Sequence, residues 1–245
     1  MAGGILMTEL QGQRALVIGA GGGIGRAIAR ALAARGADLW LAGRRPEPLA
    51  ETATGIVPRE RVLDCWTVDL ESDDAPSRLA RVVGAAPLNI LVHAAGRFTP
   101  GSPLDMPFEE AHRLFRVNAL TPISITCALA PALEQARGQV VVINSSAATQ
   151  PSHPWSVYAA SKAALRTLTD GLRQALNPRG VRVLSVFPGR TATPMQAAIF
   201  AMEHRPYTPE RLVQPEDVAA MVIAALLTPR TAEVTDIHLR PMQKP

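Results

Sequence analysis

Seven short apolar runs punctuate the chain, and longer stretches with helical spacing lie between most of them. The runs are Arg14–Ile18, Asp38–Ala42, Val62–Val68, Leu88–Val92, Val140–Ile143, Val181–Phe187 and Thr235–Leu239. They are rich in Val, Leu and Ile, as strands buried on both faces of a parallel sheet are. Helices are predicted over Arg26 to Arg35, closed by Gly36, and over Asp73 to Val83, with Ser72 as N-cap. A long one starts at Pro107 and runs to about Glu134, interrupted by Pro122 and Pro131. Another runs from Tyr158 to Asn177, where Pro178 and Gly180 stop it. The last spans Pro215 to Leu227, with Glu216 and Asp217 in its first turn. No element is assigned between Arg45 and Val62. Strand–helix alternation of this kind means right-handed βαβ units, hence an α/β, doubly wound parallel sheet of about seven strands with helices on both faces.

Composition narrows the class. Hydrophobic residues make up 47% of the 245 positions, enough for one large core, and there is no repeat or linker. Residues 1–245 therefore read as a single domain, with 1–10 as a poorly ordered leader and Met7 as an alternative start. The net charge of +4 comes from scattered arginines rather than a basic run. That suits a small anionic ligand and argues against nucleic acid. Cys65 and Cys127 stand far apart, in no metal-like spacing, so no metal site is expected and a reducing compartment is. No run approaches the roughly 18 apolar residues of a membrane helix, and the start lacks a basic segment. The expectation is a cytoplasmic protein with no membrane partner.

The first run leads into Gly19-Ala-Gly21-Gly-Gly23-Ile24-Gly25 and then a helix. Strand, glycine loop and helix together suggest a pyrophosphate site of the Rossmann type, because glycines allow close backbone approach and the helix start offers free N–H groups. The second run ends at Gly43-Arg44-Arg45. An acid there would grip a ribose 2′-hydroxyl, whereas arginines accommodate a 2′-phosphate. The position favours NADP(H) over NAD(H). Ligands in such sheets sit beyond the carboxyl ends of the strands. Arg44, Asp69, Gly96, Ser145 and Pro188 all follow strands, so they share that rim with the glycine loop.

Tyr158-Ala-Ala-Ser-Lys162 places a phenol and an ammonium on one helix face. A nearby cation lowers a tyrosine pKa from its usual value of about 10, and a phenol so tuned suits proton transfer near neutral pH. Ser145, thirteen residues earlier at a strand end, can hold a substrate oxygen. Asn118 and Pro122 are four positions apart. Pro122 has no N–H for the Asn118 carbonyl, so a kink is expected at the proline, leaving that oxygen free to hold a water beside Lys162.

In these motifs, from Gly19 to Thr193, the chain closely resembles the short-chain dehydrogenase/reductase family. The resemblance maps the family's cofactor loop onto Ile18 through Gly25 and its adenine-holding acid onto Asp69, with Leu70 beside it. The segment after the fourth strand corresponds to His93-Ala94-Ala95-Gly96. The catalytic asparagine, serine, tyrosine and lysine fall on Asn118, Ser145, Tyr158 and Lys162, the last two also holding the cofactor. The nicotinamide end falls on Pro188, Gly189, Thr191 and Thr193. Ser146 adjoins Ser145, but the spacing to Tyr158 and the small Ala148 favour Ser145. Two departures stand out. Ile18 replaces a threonine and His93-Ala94 replaces two asparagines, so the tie between glycine loop and fourth strand falls to apolar packing or to His93.

The resemblance implies hydride transfer between NADP(H) and a carbonyl or alcohol carbon, with Tyr158 as general acid in reduction. An apolar ketone or 3-oxoacyl-type substrate is expected from Phe98, Trp155, Met195, Ile199, Phe200 and Met202 in the surrounding loops, with His153 and His204 as further candidates. Family members are dimers or tetramers built on the two long helices, so a homo-oligomer is expected. Two alternatives stay open: a catalytically silent NADP-binding regulator, and an alcohol dehydrogenase working oxidatively.

Overall fold

The computed structural model describes residues 9–151 and 153–243. A seven-stranded, all-parallel sheet runs in the order β3-β2-β1-β4-β5-β6-β7. Its strands are β1 Arg14–Ile18, β2 Asp38–Gly43, β3 Val62–Thr67, β4 Ile90–His93, β5 Gln139–Ile143, β6 Arg182–Pro188 and β7 Asp236–Leu239. All seven expected strands are present, with ends shifted by one or two residues. β1, β4 and β5 are buried nearly throughout, which is why they read as unbroken apolar runs.

Helices cover both faces. On one lie α1 (Gly23–Ala33), α2 (Pro46–Thr54) and α8 (Pro215–Leu226), around a core that includes Ile28, Leu32, Leu49 and Val222. On the other lie α3 (Ala75–Val83), α4 (Phe108–Phe115), α5 (Thr121–Ala136) and α6 (Ser156–Leu176), around Leu79, Ile125, Leu129 and Leu165. A short α7 (Pro194–Met202) follows β6.

Several local expectations need correction. α2 occupies the segment to which no element was assigned; it carries Pro46 at its first position and Glu47 in its first turn, both helix-start signals. Ser72 does not cap α3. Its hydroxyl donates to Asp74 Oδ1 at 2.5 Å, and Asp74 takes the cap position. The long helix breaks at a π-helical turn, Arg116–Leu120, just before Pro122 rather than at it. Thr121 N–H donates five residues back, to Arg116 O, so Pro122 enters the first turn of α5, where a missing N–H costs little. Pro131 interrupts nothing. The carbonyl it deprives is that of Cys127, which is exposed, so solvent can serve it. The expected leader falls, for residues 1–8, outside the described residues, but Leu10 is buried and donates its N–H to Arg35 O at 3.0 Å. By length and composition alone the run 108–136 could cross a membrane, which the sequence reading did not flag. Half of its most apolar window is buried inside the fold, as in the core helix of a globular domain.

β1 and β4 meet at the site-forming edge. Ile18 pairs with His93, and Ala94 N–H donates to Ile18 O at 2.8 Å. The His93 side chain turns the other way, with Nε2 2.8 Å from Thr126 Oγ1. That hydroxyl gives its own proton to Pro122 O, so the ring proton sits on Nε2. The seam is tied by that main-chain hydrogen bond, while the His93 side chain is engaged with Thr126 instead of the glycine loop.

Burial pushes the His93 pKa down to about 3. Below about pH 6.5 the unfolded chain binds a proton that the folded ring refuses, so folding stability falls with pH across that window, by at most about 1.4 kcal/mol per unit. His93→Leu should flatten this part of the profile in thermal melts between pH 6.5 and 4.5. Parallel profiles for parent and variant would refute a buried neutral imidazole.

Candidate active site

The carboxyl ends of the strands open into a cleft of about 860 Å³, at the upper end of the range for ligand pockets. Its cofactor-sized floor is the glycine loop. Gly19 has φ +89°, and a Cβ there would lie 2.5 Å from Ala95 N. A Cβ on Gly23 would lie 2.7 Å from Thr193 Cγ2. Gly19 and Ala20 both donate to Ala42 O, at 2.8 and 3.1 Å, which pins the loop to the end of β2. α1 begins with no side-chain cap and no acid in its first turn, so its N–H groups and positive dipole end face the cleft unopposed.

Gly21, Ile24, Gly25, Arg44, Arg45, Asp69, Leu70, Ala94, Ala95, Gly96, Pro188, Gly189, Thr191 and Thr193 also line this cleft. Arg44 and Arg45 are exposed, and neither makes an ion pair with another described residue. Asp69 is exposed at the same edge, and its Oδ1 accepts from Glu71 N–H at 3.0 Å. Thr193 caps α7 by accepting from Gln196 N–H at 3.2 Å, while the Thr191 hydroxyl donates to Gly189 O at 3.0 Å.

Two residues that sequence reasoning missed brace the loop, Thr52 from α2 and Arg26 from α1. Thr52 donates to Ala20 O at 2.9 Å, and Arg26 Nη2 reaches Gly21 O at 3.3 Å and Pro48 O at 3.4 Å. No local signal marks Thr52, because its partner lies 32 residues away.

The four expected catalytic side chains converge at the ends of β5 and α6. Tyr158 hydrogen-bonds Ser145 through their hydroxyls. Ser145 Oγ also accepts from Ala147 N–H at 3.1 Å. Lys162 is 4% exposed, donates to Ile143 O at 3.2 Å, and meets no carboxylate among the described residues. Asn118 is 1% exposed and spends its side-chain amide on the main chain of Arg97. Its Oδ1 accepts from Arg97 N–H at 2.7 Å and its Nδ2 donates to Arg97 O at 2.8 Å. Nδ2 also donates to Ser161 Oγ, whose hydroxyl donates to Tyr158 O.

Electrostatics differ from the simple expectation. Burial raises the Tyr158 pKa, and the Ser145 hydrogen bond only partly offsets it. Lys162, which was expected to lower it, is itself pulled down to about 8 by burial. Sequence spacing identifies neighbours but not how much water each group loses.

At the far end Phe98, Trp155, Met195 and Ile199 line the cleft. Phe200 does not; it is buried, with Arg190 and Arg205 stacked on its ring at 4.9 and 5.3 Å. Met202, His153 and His204 lie on exposed surface away from the cleft lining.

A glycine floor that excludes side chains, an uncapped helix start and two unpaired arginines fit a dinucleotide with a 2′-phosphate. The short chain dehydrogenase family profile matches residues 13–204. An uncharacterized oxidoreductase of Staphylococcus aureus (strain USA300) is 32% identical over 238 residues, 96% of this chain and 100% of the relative. Among solved structures, a short chain dehydrogenase from Burkholderia cenocepacia J2315 in complex with NADP shares 34% identity and a TM-score of 0.81, covering 94% of this chain and 97% of its own. A 3-oxoacyl (acyl-carrier-protein) reductase from Agrobacterium tumefaciens C58 with NADP bound shares 25% identity and a TM-score of 0.83, each chain covered to 95%. The chain belongs to the short-chain dehydrogenase family of oxidoreductases.

Lys162 carries a stability cost that follows from its burial. Its folded pKa of about 8 lies below the unfolded value of 10.5, so the unfolded chain holds the extra proton between those values and stability rises with pH across that window. Below pH 8 the folded chain bears the full cost of an unpaired ammonium. Lys162→Met should therefore stabilise the ligand-free protein at pH 7 by roughly 1–3 kcal/mol. The gain should shrink as pH rises from 8 to 10.5. Denaturant melts at three pH values test this, and a variant less stable than the parent at pH 7 would contradict it.

Proposed function

We propose that this chain is an NADP(H)-dependent reductase of an apolar ketone or 3-oxoacyl-type carbonyl. The observation that carries the proposal is the Ser145–Tyr158 hydroxyl pair at the mouth of β5, with Lys162 buried one turn along α6. Arg44 and Arg45, free of carboxylates, support NADP over NAD by offering charge-assisted hydrogen bonds to a 2′-phosphate. The NADP complexes among the solved relatives point the same way.

In this reading the glycine loop, Asp69, Leu70, Ala94–Gly96, Pro188, Gly189, Thr191 and Thr193 hold the cofactor, whose nicotinamide supplies the hydride when bound. Ser145 orients the substrate oxygen by a hydrogen bond, and its N–H partner, Ala147, leaves the hydroxyl proton free to be donated. Tyr158 gives its proton to that oxygen. At neutral pH the phenol holds its proton, as an acid must before giving it, and the upward push of burial on its pKa has to be offset as the proton leaves. Lys162 supports the phenolate that remains. Asn118 positions the Arg97 segment beside them. The complete set of four residues weighs against a silent regulator on the same fold. The protein acts as one domain, as a homo-oligomer in the cytoplasm, which size-exclusion chromatography and cell fractionation would check.

Tyr158→Phe should lower the turnover of a good ketone by a factor of about 10² to 10⁴ while NADPH still binds. Parent-level turnover would remove Tyr158 as the acid. Arg44→Ala should raise the Kd for NADPH about 10- to 100-fold more than that for NADH. Calorimetric titration with both cofactors measures this, and equal losses would move the 2′-phosphate elsewhere.

A further inference from the structure

The walls beyond Ser145 and Tyr158 are aromatic, rigid and stripped of usable positive charge. The Phe98 ring lies 5.0 Å from Trp155 and 5.1 Å from Tyr158, the latter edge-on at 70°. Its segment is fixed on both sides. Asn118 grips the Arg97 main chain, and Gly101 N–H donates to Pro154 O at 3.0 Å, tying the loop to the turn that carries Trp155.

The two arginines at this end are already engaged. Arg97 donates to both oxygens of Glu110, at 2.8 and 3.1 Å, and reaches Glu71 at 3.3 Å. Thr99 also donates to Glu110 Oε1, and with Arg97 this lowers the pKa of that carboxylate. Arg190 is paired to both oxygens of Glu203, at 2.9 and 2.6 Å. Lys162 is enclosed and donates to Ile143 O. The unpaired Arg44 follows β2, three strands from β5, about 14 Å away at the usual strand spacing.

We infer that the substrate is an uncharged carbonyl compound bearing a ring, seated against Phe98 and Trp155, and that Glu110 enforces the exclusion of anions by occupying Arg97. The inference rests on the reductase reading above and narrows it. A carboxylate brought to this wall would lose its water without gaining a cation, which is costly. A ring gains edge or offset-stacked contacts beyond its buried area, and a wall fixed in advance loses little freedom on binding. Met195 and Ile199, from α7, add apolar surface that adapts to its shape.

The test uses the full chain with NADPH and two matched pairs of aldehydes. Methyl 4-formylbenzoate and 4-formylbenzoate share a ring and differ in charge; 3-phenylpropanal and hexanal share an unconjugated aldehyde and differ in the ring. The ester should exceed the carboxylate in kcat/KM by at least about tenfold, and the phenyl compound should exceed hexanal several-fold. Phe98→Leu should narrow the second ratio. Glu110→Gln, by releasing Arg97, should narrow the first. A carboxylate turned over as well as its ester, or a ring preference unchanged in Phe98→Leu, would overturn this inference alone. A protein that binds NADPH yet reduces none of the four would overturn the reductase reading and this inference with it.

Discussion

Between the ends of β1 and β4 there is no room for a side chain, and the cleft takes its shape from that constraint. A Cβ on Gly19 would meet Ala94 and Ala95 main-chain atoms at 2.5 to 2.8 Å, while Ala94 N–H is bonded to Ile18 O. This is where the strand order reverses, the place at which open α/β sheets form their ligand crevice. From the seam the glycine loop turns toward β2 and is caught by Ala42 O. The β4 segment runs the other way and is caught by Asn118. One backbone contact thus sets the cofactor end and the substrate end of the cleft in a fixed relation.

α6 gives the second half of that relation. Its buried face carries Ser161, Lys162, Leu165 and Thr169. The apolar member packs in the core, while Ser161 and Lys162 lie at the end nearest the cleft. Ser161 links Asn118 to the Tyr158 carbonyl, so the helix bearing the phenol, the π-helical turn bearing the amide and the loop bearing Phe98 form one bonded unit. Placing Asn118 in a π turn moves its side chain relative to a regular helix, consistent with the tendency of such turns to occur where a side chain must be aimed.

What the sequence made legible has a physical pattern. Buried parallel strands announce themselves as apolar runs, and rim residues follow strand ends by simple adjacency. Ser145, Tyr158, Lys162 and the glycine loop were therefore placed on one edge before any coordinates. α2 was missed because it is short, Pro- and Thr-containing and largely exposed on its outer side, so its helical period is weak. Thr52, Arg97 and Glu110 were missed because their partners are distant in sequence, as are Pro48 and Glu51, two of the three partners of Arg26. Pro122 correctly marked a break, but the chain relieved it one turn early by a five-residue hydrogen bond that the proline alone does not specify. The pKa directions were the hardest to anticipate, since burial outweighed proximity for both Tyr158 and Lys162.

That last reversal bears on how the proposed reaction gains its driving force. In the resting protein the phenol is neutral, and the buried ammonium donates to the Ile143 carbonyl and meets no carboxylate among the described residues. This is an unfavourable place for a cation, as its lowered pKa records. In the proposed reaction, a proton given up by Tyr158 would leave a phenolate one turn away on the same helix face, and the ammonium would acquire the counter-charge it lacked. The attraction is stronger than it would be in water because Lys162 is enclosed and the phenol is half-buried. It is made as the proton leaves and not before, so it favours the transition state over the bound ground state. A lysine paired beforehand with a carboxylate would have spent that interaction in the folding of the protein. The unpaired burial that weakens the fold at Lys162 is, on this argument, the same feature that makes Tyr158 able to act as an acid despite its raised pKa.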